Sequence, residues 1–201
     1  MVLPPSASPQ QLLRAMQSRD QQALNILWKD WAHKVQFFVR SQLRSSGLDA
    51  EHYAQEVVAD VFHDLWRHPE RYDGRVAFNT WLFAVARNKA IDRLRQHQRR
   101  AAVEESAGDE DFSDVPDDAP TPELQLHHRQ QRNAVMRCLE RLRNHLQREA
   151  LLLWAIEDMP LADIAHTQQC PENTVKTRLF HGRKNLHSCL QQSLRLEATT
   201  P

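Results

Sequence analysis

Residues 72–100 read YDGRVAFNTWLFAVARNKAIDRLRQHQRR, and this stretch decides the fold. Its apolar residues recur at the i, i+3, i+4, i+7 spacing of one helix face: Phe78, Trp81, Leu82 and Val85. One acid, Asp92, and six bases follow them: Arg87, Lys89, Arg93, Arg95, Arg99 and Arg100. A helix that only fills a core gains nothing from so many cations, so a polyanion is the expected partner. The stretch predicts a helix that handles nucleic acid in single-stranded form.

The composition of the whole chain favours an all-helical protein. The chain has 201 residues, 41% of them hydrophobic, which is enough for one large domain or two small ones. It contains only 4 glycines and few alternating β-branched runs, whereas Leu, Ala, Arg, Gln and Glu are frequent. We therefore expect two small helical domains rather than a sheet.

The formal net charge of zero hides a strong segregation along the chain. Residues 1–100 carry a net charge of +5, residues 101–123 carry −9 with no base, and residues 124–201 carry +4. The middle segment, AAVEESAGDEDFSDVPDDAPTPE, has the composition of a disordered tether. The sequence thus predicts two basic lobes joined by a flexible acidic linker.

The cysteines and the N-terminal sequence indicate the cellular compartment of the protein. Three cysteines (Cys138, Cys170 and Cys189) with no C-x-x-C pair fit a reducing cytosol better than a disulfide framework. MVLPPSASPQ has neither the basic nor the apolar region of a signal peptide, and no apolar run is long enough for a membrane span. These features predict a soluble, cytoplasmic protein with no direct membrane insertion.

The first lobe divides into four predicted helices. Ser8 and Pro9 suit the cap and first residue of one helix, and Asp20 caps a second that runs to about Arg44. Asp49 opens a third helix, which ends near Arg67. A loop with Pro69 and Gly74 covers His68 to Val76, and the basic helix follows. Aromatic residues available for the core of this bundle are Trp28, Trp31, Phe62, Trp66, Phe78 and Trp81.

The third helix carries Glu56, Asp60 and Asp64 at i, i+4, i+8 spacing, on the side opposite its apolar residues. Such an acidic stripe is either a solvated face or a docking face for a basic partner, and the pattern alone leaves both open.

The second lobe ends in a helix-turn-helix pattern. A short helix from Leu161 to about Gln168 is followed by Gln169 and Cys170 and by a second helix from Pro171 that buries Val175 and Leu179. The second helix exposes polar and basic residues, and the N-terminal part of such a helix enters the major groove. Arg178 is the main candidate for reading a base, and an ordinary helical hairpin with a basic solvated face is the alternative.

Within the stretch 72–100, several side chains could either fill the core or surface, or contact a nucleic-acid base. Phe78 and much of Trp81 fit a role in the core, whereas Tyr72 lies in a Pro- and Gly-flanked loop where an exposed ring could stack on an unpaired base. Asn88 could bond a base edge or be an ordinary surface residue.

Catalytic and metal patterns are missing from the sequence. Cys170, His181, His187 and Cys189 match no zinc-ligand spacing, and no nucleophile–base–acid set or Gly-rich phosphate loop is recognisable. We therefore expect no metal, no cofactor and no enzyme activity.

Two segments, RYDGRVAFNTWLFAVARNKAIDRLR (71–95) and MPLADIAHTQQCPENTVKTRLFHGRKNL (159–186), resemble regions 2 and 4 of an extracytoplasmic-function (ECF) sigma factor. The resemblance covers residues 10–100 and 122–195. It implies a bacterial, cytoplasmic subunit that binds core RNA polymerase and promoter DNA, is monomeric when free and is antagonised by an anti-sigma factor. In that family region 2 captures the melted −10 strand, and region 4 reads the −35 duplex.

The resemblance also implies roles for individual residues. The −10 element is expected to contact Tyr72, Trp81, Arg87, Asn88, Lys89, Arg93 and Arg95. The −35 element is expected to contact Asn173, Thr174, Lys176, Thr177, Arg178, Phe180, His181, Arg183 and Lys184. The acidic stripe of Glu56, Asp60 and Asp64 matches the helix that docks on the polymerase.

The chain departs from the family pattern at Asp64, where a base is frequent, and at Arg143, where proline is common. Gln169 and Asn173 stand near the helix-turn-helix turn where glycine is usual. Asn adopts a left-handed backbone conformation at little energetic cost, whereas the same conformation is less favourable for Gln.

The sequence therefore predicts a disordered N-terminus (1–9), a region 2 domain (10–100), an acidic linker (101–121), a region 4 domain (122–195) and a tail (196–201). The expected function is an alternative sigma factor. A stand-alone helix-turn-helix regulator is the alternative, although it would leave residues 72–100 unexplained. A metal-dependent nuclease using the histidines is a third hypothesis, which the missing ligand spacing opposes.

Overall fold

Helices account for the regular structure of the part of the chain that can be described. The computed structural model describes residues 7–43, 49–103 and 134–197, with side chains omitted at 100–103 and 194–197. Within these ranges it has no strand, and the predicted all-α class is confirmed. Most of the predicted acidic linker, together with Pro122, Leu124 and Leu126, lies outside the described residues. None of the described helices combines the length and apolarity needed to cross a membrane.

The first lobe (residues 7–103) contains four α-helices: α1 (Pro9–Gln17), α2 (Gln21–Leu43), α3 (Ala50–Arg67) and α4 (Phe78–Val103). The helix starts follow the predicted caps. Ser8 forms a capping box with Gln11, Asp20 Oδ1 accepts a hydrogen bond from the Gln22 amide, and Asp49 accepts one from the His52 amide.

Helix α4 begins at Phe78, directly after the loop that the sequence predicts for His68 to Val76. Before it, Pro69–Arg71 forms a 3₁₀ turn, and Gly74 takes a left-handed φ of 76°. Asp73 Oδ1 accepts a hydrogen bond from the Arg75 amide, which closes the turn at 3.0 Å. Tyr72 therefore belongs to this connection rather than to the helix.

The second lobe (residues 134–197) consists of α5, whose described part is residues 134–140, then α6 (His145–Ala155), α7 (Leu161–Gln168) and α8 (Glu172–Glu197). Asn144 caps α6 through the amides of Leu146 and Gln147. Helix α7 ends at Gln169, which adopts the left-handed conformation (φ 51°, ψ 48°) despite its side chain. Asn173 needs no such conformation, because α8 already begins at Glu172.

Both lobes share one continuous apolar core, with Phe83 and Leu82 on the first lobe and Leu153 and Ile164 on the second. Phe83, which the sequence analysis left out, is almost completely buried and meets the ring of Phe38 edge-on at 5.1 Å. The core role predicted for Trp28 is wrong in part: its ring touches Phe62, but the residue is 44% exposed.

The expectation of free cysteines is wrong for two of the three. Cys138 on α5 and Cys189 on α8 form a disulfide, with their Cα atoms 5.7 Å apart. Spacing in the sequence could not show this pairing, because the two residues are 51 positions apart and meet only when α8 packs on α5. Cys170, in the turn before α8, is free.

Candidate nucleic-acid interface

Tyr72 lies in an aromatic cluster and is not the exposed ring that the sequence predicts. It is only 9% exposed, and its ring contacts those of Phe78 and Trp81 at centroid distances of 5.5 and 5.6 Å. Its hydroxyl donates a hydrogen bond to the Val76 carbonyl (2.8 Å) and accepts one from Gln10 Nε2. The turn around Gly74 folds the ring back onto the start of α4, because that position removes apolar area from water. A base could reach Tyr72 only after local movement.

Trp81 and Asn88 remain more accessible on the same helix. Trp81 is half-buried and stacks on Phe78 with ring centroids 6.1 Å apart, so it combines a core contact with an open edge. Asn88 is exposed. The first half of α4 therefore presents the edge of the Trp81 ring, which could stack on a base, and the Asn88 side-chain amide, which could form hydrogen bonds.

Three cations of α4, Lys89, Arg93 and Arg95, are already paired with acids inside the first lobe. Lys89 Nζ lies 2.7 Å from Asp64 Oδ2, and Arg93 Nη2 lies 3.3 Å from Asp60 Oδ2 and 3.4 Å from Glu56 Oε2. Arg95 pairs with Asp92 one turn earlier. The acidic stripe thus faces the basic helix of its own lobe. Ion pairs at this degree of exposure contribute about 0–1 kcal/mol, so phosphates or a partner can replace them.

The carboxylates of the acidic stripe stay partly open to solvent, with side-chain exposures of 36–49%. The hydrogen bond from Lys89 holds the pKa of Asp64 below its usual value, with burial opposing and the charges of Lys89, Arg71 and His63 adding to the shift. Asp64, at a position where the family often has a base, is therefore ionised and held by Lys89. The stripe is therefore a partly exposed acidic surface that is already paired with cations of α4.

Helix α8 presents the polar face that the sequence predicts. Val175 and Leu179 are buried, and Gly182 lies so close to α6 that a Cβ there would stand 3.0 Å from Leu151 Cδ1. The opposite face is exposed and consists of Asn173, Lys176, Thr177, Phe180, His181, Arg183 and Lys184, with Thr174 half-buried. Phe180 is 67% exposed, which is unusual for a phenyl ring and suits contact with thymine methyl groups.

Arg178 is more constrained than a free base-reading side chain. It is half-buried, and its Nη1 donates to Gln168 Oε1 at 2.7 Å and to Cys170 Sγ at 3.2 Å. Gln168 is itself buried and donates to the Leu146 carbonyl. The turn therefore holds one edge of the guanidinium. Farther along, Arg183 lies over the ring of Trp154 at 5.2 Å.

Arg87 is the most altered of the predicted nucleic-acid contacts. Its Nε donates to Glu149 Oε1 at 2.8 Å, and the two side chains are 11% and 2% exposed. Burial raises the pKa of Glu149, and Arg87 opposes that shift. No motif in the sequence points to Glu149, although its position beside Ala150, Leu152 and Leu153 on α6 marks it as a charge on an apolar helix.

Nothing in the described ranges resembles a metal centre: no three His, Cys, Asp or Glu side chains converge there. His145, at the start of α6, has its pKa lowered by partial burial and then by the nearby charges of Arg148, Arg87 and Arg178.

Comparison with known families gives two matches in chain order. Residues 27–100 match the Sigma-70 region 2 family, and residues 132–186 match the Sigma-70, region 4 family. The first covers α2 to α4 with the acidic stripe, and the second covers the helix-turn-helix.

Proteins that match over nearly the whole chain are named as RNA polymerase sigma factors. The chain is 30% identical over 190 residues to the RNA polymerase sigma-H factor of Pseudomonas aeruginosa, covering 92% of this chain and 95% of the relative. It is 27% identical to the ECF RNA polymerase sigma-E factor of Escherichia coli (strain K12), covering 92% and 96%.

Two solved structures share the fold. The sigma factor RpoE, in complex with the anti-sigma factor NepR from Bartonella quintana, matches with a TM-score of 0.63 and 22% identity, covering 85% of this chain and 96% of that one. CnrH, in complex with the cytosolic domain of CnrY, matches with a TM-score of 0.56 and 22% identity, covering 96% and 99%.

Proposed function

The chain belongs to the extracytoplasmic-function sigma factors of the sigma-70 family, and from that premise we propose how its residues divide the work of promoter recognition. It is an alternative sigma factor that binds core RNA polymerase and directs it to promoters to initiate transcription. The observation that carries this function is the order of two matching regions, each centred on a helix with an exposed basic or polar face.

The second lobe, as region 4, reads the −35 duplex through α8. Lys176, Thr177 and His181 lie on the exposed face of its first half, where a recognition helix meets base edges. Arg183 and Lys184 follow one turn later and are placed to hold phosphates. Asn173, Thr174, Arg178 and Phe180 complete the surface.

The first lobe, as region 2, captures the melted −10 strand. Trp81 and Asn88 offer a stacking edge and an amide, and Tyr72 becomes available if the loop around Gly74 moves. Lys89, Arg93 and Arg95 exchange their carboxylate partners for phosphates, and Arg87 does so after leaving Glu149.

The acidic stripe of Glu56, Asp60 and Asp64 docks on the polymerase core. Its partly exposed carboxylates suit a basic partner surface that competes with Lys89 and Arg93. We place the protein in the bacterial cytoplasm, where its polymerase is, and expect an anti-sigma factor to antagonise it. Sigma factors act as specificity factors, and we assign this chain no catalysis of its own.

Run-off transcription with purified core polymerase tests the function. We expect initiation from a promoter with −35 and −10 elements only when both the chain and the core are present. Absence of initiation on any promoter fragment of the source genome, together with tight operator binding by the chain alone, would identify a stand-alone helix-turn-helix regulator instead.

A further inference from the structure

We propose that the first lobe carries an anion site, the Arg19 cleft, which binds the di- or triphosphate group of a nucleotide. The Arg19 cleft is an open cleft of about 690 Å³ at the end of α3, lined by Arg19, His63, Trp66, Arg67 and His68. None of these residues belongs to the surfaces proposed above for the promoter or for the polymerase. The inference goes beyond the proposed function and does not depend on it.

Two parts of the first lobe bring the lining residues together. Arg19 lies in the turn between α1 and α2, whereas the other four residues come from the last turns of α3 and its C-cap, His68. His63 and Arg67 are four positions apart, so they lie side by side on one exposed face of α3. Helix α2 packs along α3, and α1 packs on the 3₁₀ turn that follows α3. The packing of these helices therefore sets the shape of the cleft.

The backbone and the ring of Trp66 fix the position of Arg19. Its φ of 61° is left-handed, and its amide donates a hydrogen bond to the Met16 carbonyl at 2.9 Å, which ends α1. Its guanidinium carbon lies 5.7 Å from the ring centroid of Trp66, within the range of a cation–π contact. Because Trp66 is half-buried, it forms a firm floor for this contact. Less side-chain entropy is therefore lost when Arg19 binds an anion.

The charges of the two arginines in the cleft are not neutralised by the protein. Lys89 and Arg93 pair with carboxylates of α3, but Arg19 and Arg67 have no acid within ion-pair distance in the described part of the chain. Both side chains are exposed. A guanidinium donates paired N–H groups to phosphate oxygens, and imidazole nitrogens can donate as well. The cleft thus offers several hydrogen-bond donors to a ligand from outside.

The shape and lining of the cleft indicate the class of this ligand. Its volume lies within the range of about 300–1,000 Å³ that small-molecule sites occupy. The lining contains no carboxylate, so a divalent cation has no ligands there. The donors are spread along an open cleft, which suits several linked anionic groups better than one. An adjoining cleft of about 280 Å³ shares Arg19, Trp66 and Arg67 and adds Met16, Gln17, Pro69 and Glu70. The apolar surface of Met16 and Pro69 gives a nucleoside a place beside its phosphates.

Glu70 opposes the binding of an anion and therefore provides a sensitive test. It is exposed and lines the adjoining cleft, and its Oε1 lies 3.2 Å from Nδ1 of His68. Its negative charge repels a phosphate and occupies one of the donors. Removal of this charge should therefore strengthen binding, an effect that unfolding could not produce.

The test measures binding of a fluorescent ATP derivative to the full-length chain by anisotropy, without polymerase or promoter. Magnesium is omitted, because it would neutralise the charge that the cleft recognises. At an ionic strength of about 0.15 M, we expect saturable binding with a Kd below about 1 mM. Unlabelled ATP and pyrophosphate should displace the probe, and adenosine should not. ATP that competes better than pyrophosphate would show that the nucleoside adds affinity.

Three variants and one control assign the binding to the cleft. Arg19→Asn removes the guanidinium but keeps a residue that suits the left-handed conformation, and Arg67→Gln changes an exposed position of α3. Each should weaken binding about tenfold or more, because a charge-assisted hydrogen bond is lost. Glu70→Gln should strengthen it severalfold. The control, Arg75→Gln, removes an exposed guanidinium of the same lobe that lines neither cleft and should match wild type.

Circular dichroism confirms that each variant is folded. Absence of saturable nucleotide binding, or arginine variants that bind as tightly as Arg75→Gln, would overturn the proposal. Binding of a single-stranded oligonucleotide that depends on Arg19 and Arg67, with no binding of nucleotides, would assign the cleft to the −10 strand and also overturn it. Because the assay contains neither polymerase nor promoter, its failure leaves the proposed function standing. Failure of run-off transcription likewise leaves the Arg19 cleft standing.

Discussion

Arg178, for which we propose a role in reading the −35 element, also contributes to the fold. Its Nη1 donates hydrogen bonds to Gln168 and Cys170 in the turn, and these bonds leave the other guanidinium nitrogens for the proposed contact with DNA. We expect Arg178→Ala to weaken −35 binding and to relax base preference at one position, at about 1–3 kcal/mol of discrimination. The lost hydrogen bonds should also cost about 1 kcal/mol of stability.

Lys184→Ala is the control for Arg178→Ala, because Lys184 is exposed and placed for phosphates. It should weaken binding uniformly across promoter sequences without changing the melting temperature. Binding measured across a library of −35 sequences separates the two effects. An Arg178→Ala protein with unaltered base preference would remove Arg178 from the readout.

His145 makes stability depend on pH. Partial burial and the charges of Arg148, Arg87 and Arg178 lower its pKa, so the folded chain binds its proton less readily than the unfolded chain. The stabilising contribution is therefore complete above about pH 6.5, the ordinary value for histidine, and is lost as the pH falls through the lowered pKa. His145→Gln should remove this contribution.

Thermal melts between pH 7.5 and 5.5 can isolate the effect of His145. Wild type should lose more Tm than His145→Gln over this range, because only wild type carries the histidine whose pKa is lowered by folding. Equal losses in the two proteins would show that His145 does not titrate under this influence.

Tyr72 marks where prediction from sequence ends at the residue scale. Its position in a Pro- and Gly-flanked loop indicates a turn, and the turn is present. Its burial depends on the rings of Phe78 and Trp81 and on Gln10, which is 62 residues away. Local patterns predict backbone conformation, whereas side-chain exposure depends on distant neighbours.

At the scale of elements, α3 and α4 act as a pair. The spacing of Glu56, Asp60 and Asp64 correctly places them along one line of α3, but that line faces Lys89 and Arg93 rather than open solvent alone. We expect Asp60→Lys to reduce core-polymerase binding at least tenfold, since it reverses a charge on the proposed docking face. Repulsion from Arg93 should cost no more than about 1 kcal/mol of stability at this exposure.

Arg75→Glu is a suitable control for Asp60→Lys, because it also reverses one charge on the first lobe but lies in the exposed loop. Anisotropy titrations of labelled proteins with core polymerase give the two affinities, and circular dichroism confirms the fold. Full affinity in Asp60→Lys would defeat the docking-face proposal.

The disulfide joins the first and last helices of the second lobe. Closing a loop with a sequence separation of 51 stabilises a fold by up to about 4 kcal/mol in the chain-entropy model. Reduction should therefore lower the Tm of the oxidised chain by several degrees, and Cys138→Ser or Cys189→Ser should do the same without reductant.

Cys170→Ser is the matched control for the disulfide, because Cys170 is the free cysteine of the chain. Its Tm should retain the full response to reductant. Counting free thiols by alkylation and intact mass should give one in the oxidised chain and three after reduction. Three free thiols in the air-oxidised protein would contradict the pairing.

Helix boundaries follow closely from local chemistry. Ser8, Asp20 and Asp49 cap the helices that the sequence assigns to them, and the turn after α7 lies where the pattern puts it. The left-handed residue of that turn is Gln169, whose usual family counterpart is glycine. Its strain is offset by backbone hydrogen bonds to Ala165 and His166 from the Gln169 amide.

At the scale of the whole molecule, the two-lobe division is visible in the charge pattern, whereas the contact between lobes is not. The helices that contain Arg87 and Glu149 are each predicted from their own apolar spacing, and neither prediction depends on the other residue. Only the packing of α4 against the second lobe makes them partners. Long-range ion pairs of this kind have no periodicity, so a single sequence does not reveal them.

The energetics of promoter melting determine how tightly the free chain can bind promoter DNA. Opening duplex DNA costs about 1.4 kcal/mol per stacked step, while each base stacked on an aromatic ring returns about 1–3 kcal/mol. If Trp81, Asn88 and Tyr72 hold one or two bases, as proposed, they can nucleate a bubble but cannot sustain one of about ten pairs.

We therefore expect the free chain to bind duplex promoter weakly, and the complex with core polymerase to bind it at least about a hundredfold more tightly. A promoter fragment with a pre-melted −10 element should reduce this difference in affinity, because the free energy of opening the duplex no longer has to be supplied by binding. Electrophoretic mobility shifts with duplex and pre-melted promoters, each with and without core at fixed salt, measure the four affinities. Tight duplex binding by the free chain, unaffected by core, would contradict the division of labour between the lobes and the polymerase.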